Sequence, residues 1–136
     1  MQVIQFVKEV YLAGYAVCFR LSRSRNVNYK AGGAIGFITL VEWFIFLGIL
    51  FYVQISTRSK FVFSKPIVII AFIALFFVNQ YFLTVRCHGI KFEREFDRLE
   101  KSRRITLVVI FAAATVAATV FCIWSGIAFR RFIGAH

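Results

Sequence analysis

Three long apolar runs constrain this chain more than any other feature. They cover residues 34–55, 67–85 and 105–129; the first contains one charged side chain, Glu42, and the other two contain none. At about 1.5 Å per residue, a helix of roughly 20 apolar residues crosses the ~30 Å hydrocarbon core of a bilayer. The sequence therefore predicts an all-α integral membrane protein with three transmembrane helices, forming a single domain over residues 1–136.

The charge distribution predicts the orientation of these helices. The chain has seventeen Lys and Arg against six Asp and Glu, and 60% of its residues are apolar. A soluble domain this small could not bury so much apolar surface. Twelve of the basic residues lie before the first run or between the second and third, which is one side of a three-span protein. Because basic loops stay in the cytoplasm, we expect a multi-pass protein of the cell membrane with a cytoplasmic N-terminus.

Residues 2–21 have the pattern of an amphipathic helix. Ile4, Val7 and Tyr11 recur at helical spacing, whereas Lys8 and Glu9 interrupt the apolar run. This predicts a helix that lies in the membrane interface. A fourth span, packed inside a bundle, is the alternative.

Residues 90–104, between the second and third runs, are rich in charge. The pairs Lys91–Glu95, Asp97–Lys101 and Glu100–Arg104 join opposite charges four residues apart, and Phe92, Phe96 and Leu99 share one face. The segment is predicted to form a cytoplasmic amphipathic helix that ends where the third span begins.

Polar side chains inside the spans are the candidate pore or gate residues. Glu42 lies about 12 Å from the cytoplasmic end of the first span, and Asn79 lies about 9 Å from the same end of the antiparallel second span. These depths predict that the two side chains meet. Ionisable and polar groups in lipid line water-filled paths or hold helices together by hydrogen bonds, and both interpretations stand here. The full set of candidates is Glu42, Asn79, Gln80, Thr115 and Thr119.

Small residues follow a four-residue spacing in the third run. Small side chains let helix backbones approach closely in a membrane. The helix-packing candidates are Ala113, Ala114, Ala117 and Ala118. Since three spans make a thin bundle, we expect this surface to support a homo-oligomer.

Basic residues near the predicted cytoplasmic surface form the third candidate site. They fit contact with anionic lipid, or with an anionic ligand such as a nucleotide or oligonucleotide. The candidates are Arg20, Arg23, Arg25, Arg98, Arg103 and Arg104. The sequence contains no phosphate-binding loop or nucleic-acid motif that would choose between these partners.

The sequence does not have the pattern of an enzyme. It lacks a nucleophile placed beside a base and a set of metal ligands at a recognised spacing, so we expect no catalytic activity, no metal and no cofactor.

In overall architecture, the short chain with its basic cytoplasmic side resembles the small transmembrane effectors of bacterial anti-phage defence systems. The resemblance rests on no particular motif and extends to immunity proteins, holin-like proteins and accessory subunits. It implies a bacterial inner-membrane protein with an antiviral role, a homo-oligomeric pore or ion channel gated by an anionic cytoplasmic ligand. The alternative is a non-conducting anchor or regulatory subunit with a membrane protein partner.

Overall fold

The computed structural model describes residues 2–23, 25–58, 65–86 and 88–134, and these residues form helices and short connections without a β-strand. The elements are α1 (Gln2–Leu21), α2 (Val27–Ser56), α3 (Lys65–Gln80), a π-helical segment (Tyr81–Arg86), α4 (Gly89–Glu95), a 3-10 turn (Phe96–Arg98) and α5 (Lys101–Gly134). The prediction of an all-α fold is confirmed.

Three helical stretches are long and apolar enough to cross a membrane. They are Val27–Ser56, Pro66–Val85 and Lys101–Gly134, and each contains one of the three apolar runs. A third of the most apolar part of α2 is buried (33%), against 11% in each of the other two stretches. The middle of the bundle is therefore α2, and most of the surface of α3 and α5 is exposed and apolar.

Aromatic side chains join α2 to both of its long neighbours. Phe37 of α2 meets Phe111 of α5 at a tilt, and Phe51 stacks on Phe129 with ring centroids 5.1 Å apart. Gly48 permits a close approach, since a Cβ at this position would lie 2.5 Å from the ring of Phe121. On the opposite side, Trp43 meets Phe72 of α3 edge to face. Along these contacts α5 runs parallel to α2, and α3 runs antiparallel to it.

The shorter helix α1 packs against α2, α4 and α5. Its middle turn, Leu12–Ala16, is buried on every side, and a Cβ at Gly14 would lie 2.3 Å from the ring of Phe111. This differs from the single apolar face expected from the sequence, because Ile4 and Val7 near the N-terminus are exposed. Contacts with several neighbours at once bury whole turns rather than one stripe.

The predicted continuous helix over residues 90–104 is wrong. The chain forms α4, then the 3-10 turn, and Leu99 is extended (φ −66°, ψ 145°), so α5 begins at Lys101 rather than at residue 105. The break lets Asp97 pair with arginines on α1 and α5, which replaces the expected pairing along one helix. Phe92, Phe96 and Leu99 still pack into one cluster, against α1 and Leu107.

Candidate functional site

The carboxyl group of Glu42 lies where α1, α2 and α3 meet. The hydroxyl of Tyr11 donates a hydrogen bond to Glu42 Oε1 over 2.8 Å. The amide Nδ2 of Asn79 donates to Glu42 Oε2 and, over 3.1 Å, to the hydroxyl oxygen of Thr39. The structure thus joins Glu42 and Asn79, as their depths predicted, and adds Tyr11 and Thr39 to form what we call the Glu42 cluster.

The helix geometry of α2 explains the position of Thr39. It precedes Glu42 by three residues and therefore shares its face. Its hydroxyl donates to the backbone oxygen of Ile35 over 2.8 Å, which leaves the oxygen free to accept from Asn79. Thr39 is fully buried and Asn79 is 7% exposed, so these bonds satisfy polar groups that are largely removed from solvent.

Tyr11 and Thr39 were not predicted as site residues. The spacing of Thr39 and Glu42 on one helix was a usable signal, because residues three apart face the same neighbour. No comparable signal existed for Tyr11, since its contact with Glu42 depends on how α1 crosses α2.

Three of the predicted pore or gate residues lie outside the Glu42 cluster. The hydroxyls of Thr115 and Thr119 donate to backbone oxygens one turn earlier on α5, each over 2.9 Å. Such bonds satisfy the hydroxyls within their own helix. Gln80 follows Asn79 in the chain, but its side chain is exposed on the outer surface of α3.

A cavity of about 430 Å³ opens beside the Glu42 cluster. Its apolar wall comes mainly from the first two turns of α1, including Ile4 and Val7, and Lys8 also lines it. Tyr11, Glu42 and Asn79 form its polar part. The cluster can thus be reached from the surface between α1 and α3.

Three of the six candidate arginines form ion pairs within the molecule. Arg20 of α1 binds Glu93 over 2.9 Å and Asp97 over 2.8 Å, and Arg104 of α5 binds the same Asp97 over 2.8 Å. The hydrogen bond between Arg20 and Asp97 lowers the pKa of this carboxyl group and raises the pKa of the guanidinium. These contacts tie the C-terminal end of α1 to the region around α4.

The four candidate arginines besides Arg20 and Arg104 differ in whether they have an ion-pair partner. Arg103 binds Glu9 of α1 over 2.6 Å. Within the described part of the chain, Arg23, Arg25 and Arg98 are exposed and form no ion pair with an acidic side chain. Among the six candidates, these three are therefore the arginines whose charge no acidic partner in the described ranges offsets.

The alanine surface of α5 is largely unoccupied. Ala113, Ala114 and Ala117 are exposed, whereas Ala118 is buried in the bundle. The described ranges contain no group of three His, Cys, Asp or Glu side chains able to hold a metal ion. Comparisons with protein families, with characterised proteins and with solved structures find no match.

Proposed function

We propose that this protein is a multi-pass protein of the cell membrane that forms a pore by self-association, with a cytoplasmic N-terminus. Membrane insertion is supported by the three long apolar helices and by the many large apolar side chains that α3 and α5 expose. In water such a surface would aggregate, whereas lipid or further copies of the chain would cover it.

The main support for a pore is the position of Gln80. This carboxamide is exposed on the outside of α3, five residues before the end of the stretch Pro66–Val85, which is about 7 Å inside an embedded helix. A polar group at that depth is costly in hydrocarbon unless it binds a partner or faces water. In a ring of copies with Gln80 directed toward a shared axis, the carboxamide would have both a polar partner and access to water.

The Glu42 cluster has a different role in this proposal. Both of its carboxyl oxygens accept hydrogen bonds within one chain, so Glu42 and Asn79 hold α1 against α2 and α3 rather than line the path. Polar contacts of this kind fasten helices together in lipid. The cluster acts as the clamp that keeps α1 in place, and displacement of α1 would expose it.

Self-association would use the exposed alanines of α5. Ala113, Ala114 and Ala117 allow a second helix to approach closely, and Thr115 lies on the same helix between them. On the cytoplasmic side, assembly would bring Arg23, Arg25 and Arg98 of several copies together. The resulting field would attract an anionic ligand, such as a nucleotide or oligonucleotide, in the manner of the anti-phage effectors that the architecture resembles.

The second candidate is a non-conducting anchor or regulatory subunit of a larger membrane complex. The internal hydrogen bonds of Glu42, Asn79, Thr115 and Thr119 favour it, because a pore lining normally offers free polar groups to water. In that case Gln80 would contact another membrane protein.

Liposome flux tests the proposal against this alternative. Purified protein reconstituted at neutral pH should release a trapped small dye or dissipate an ion gradient, and Gln80→Leu should reduce the rate at least about tenfold. The matched control is Val78→Leu, which is also exposed on α3 but lies on a different side of the helix. Absence of flux with added nucleotides and oligonucleotides, together with a stoichiometric partner in pull-downs, would establish the anchor instead. Extraction of the protein from membranes by carbonate would rule out both the pore and the membrane anchor.

A further inference from the structure

A groove between the C-terminal half of α1 and the first turns of α5 combines apolar walls with two guanidinium groups. Its volume is about 360 Å³, within the roughly 300–1,000 Å³ range of small-molecule sites. Val17 and Leu21 of α1 form one wall, and Ile105, Val108 and Val109 of α5 form the other. Leu21, Ile105 and Val109 are at least half exposed, so the bundle itself leaves this groove uncovered.

Arg20 and Arg104 line the same groove, whose surface is almost entirely apolar, so their guanidinium groups lie at its rim. An arginine has five N–H donors. Within the described chain Arg104 uses one of them, toward Asp97, and its side chain stays one-third exposed. Arg20 packs over the ring of Phe96, which also lines the groove, and three of its nitrogens donate to Glu93 and Asp97. Arg104 therefore keeps most of its donors for an anion, whereas the charge of Arg20 is offset by Glu93 and Asp97.

The groove lies at the boundary between the charged segment and the third apolar run. Arg104 is the last charged residue before the apolar run that begins at Ile105. In the proposed membrane location, the guanidiniums lie at the depth of lipid phosphates, and the valines lie beside the acyl chains. Basic pockets at this level between helices suit anionic lipid head groups.

We propose that this groove binds one anionic phospholipid, with its phosphate on Arg104 and an acyl chain along Val17, Val108 and Val109. The charge at one end and the apolar walls together require an amphiphile, which a free nucleotide or phosphate is not. The lipid would bridge α1 and α5 on the outside, opposite the contacts that α1 makes in the core. The inference rests on the proposed membrane location but not on pore formation.

Native mass spectrometry of the detergent-solubilised protein tests this assignment. Incubation with an equal mixture of phosphatidylglycerol and phosphatidylcholine should leave one bound lipid per chain, with at least a tenfold preference for the anionic one. Val109→Trp should fill the groove and reduce the bound lipid about tenfold. The control Val116→Trp lies two turns further along α5, equally exposed and outside the groove, and should retain the lipid. Arg104→Gln should abolish the preference between the two lipids.

The outcomes separate this inference from the proposed function. Equal binding of the two lipids by the unmodified protein would overturn it, as would full retention of lipid by Val109→Trp. Competition by millimolar inorganic phosphate would also overturn it, by reducing the site to a phosphate site. Each of these results would leave the flux measurements intact, whereas a carbonate-extractable protein would remove the membrane premise itself.

Discussion

Replacement of Tyr11 by Phe removes one hydrogen-bond donor from Glu42 and leaves the aromatic ring in its packing site. The lost bond is 2.8 Å long and partly buried. A hydrogen bond contributes about 0.5–1.5 kcal/mol net in soluble proteins. Polar contacts between helices in a membrane contribute a similar amount, about 0.6 kcal/mol on average and at most about 1.7. We therefore expect Tyr11→Phe to lower the free energy of unfolding by about 1 kcal/mol.

A double-mutant cycle with Glu42→Leu isolates this contact. Leucine is similar in size and has no oxygen that could accept from Tyr11. If the Tyr11–Glu42 bond holds α1, the two changes together should cost about 1 kcal/mol less than the sum of their separate costs. The measurement is reversible unfolding in mixed micelles with increasing sodium dodecyl sulfate, followed by circular dichroism. Trypsin cleavage after Lys8 and Arg20 would report the release of α1 directly.

Tyr52→Phe serves as the matched control, because Tyr52 lies on α2 with its side chain exposed. It should leave both the unfolding curve and the cleavage rate unchanged. A coupling energy within about 0.3 kcal/mol of zero, the scatter of independent sites, would refute the clamp. Equal cleavage rates in Tyr11→Phe and the unmodified protein would refute it as well.

Three further perturbations examine the fold and the assembly. Gly14→Ala should destabilise the bundle by about 1–3 kcal/mol, because the added Cβ would overlap the ring of Phe111. The control Gly33→Ala, in open space on α2, should be neutral or stabilising by up to ~1 kcal/mol. Thermal unfolding in detergent compares the two variants. The pKa of Asp97 is lowered by its arginine partners, so its ion pairs should be complete at neutral pH and be lost as the pH falls below about 4 through that lowered pKa. Asp97→Asn should make proteolysis near this junction independent of acid, and a persistent acid step would contradict the assignment. Ala117→Leu should shift the oligomer toward monomer about tenfold in analytical ultracentrifugation, without change in the unfolding of the monomer.

The parts of the fold that could be predicted are those that follow from the long apolar runs of the sequence. An apolar run of 20 residues specifies a helix in lipid whatever its neighbours are, because every backbone group must find its partner inside the segment. Two antiparallel runs joined by a short connector then set which residues share a level. This is why the depth of Glu42 and Asn79 predicted their contact.

The parts that were not predictable depend on contacts between separate elements. The four-residue charge spacing of residues 90–104 favoured one helix, at a few tenths of a kcal/mol per pair. In the structure Asp97 instead receives hydrogen bonds from Arg20 and Arg104 on two other helices. Local pairs of that strength cannot compete with such contacts and with burial of Phe96, so the helix breaks at Leu99.

The two sets of polar contacts on α1 are mechanically linked. Arg103, Glu93 and Asp97 hold α1 at the charged surface, and Glu42 holds it through Tyr11. The buried turn Leu12–Ala16 joins Tyr11 to Arg20. Glu9, the partner of Arg103, lies two residues before Tyr11, so release of one set should release the other. An anion that binds Arg20 or Arg103 more tightly when α1 is released would therefore weaken the hold on Glu42 by the same free energy. By reciprocity, Tyr11→Phe should increase the affinity for such an anion by up to about fivefold, the equivalent of its ~1 kcal/mol cost. Isothermal titration calorimetry with a short oligonucleotide measures this affinity. An unchanged affinity in Tyr11→Phe would show that anion binding at the arginines is not coupled to the Glu42 cluster.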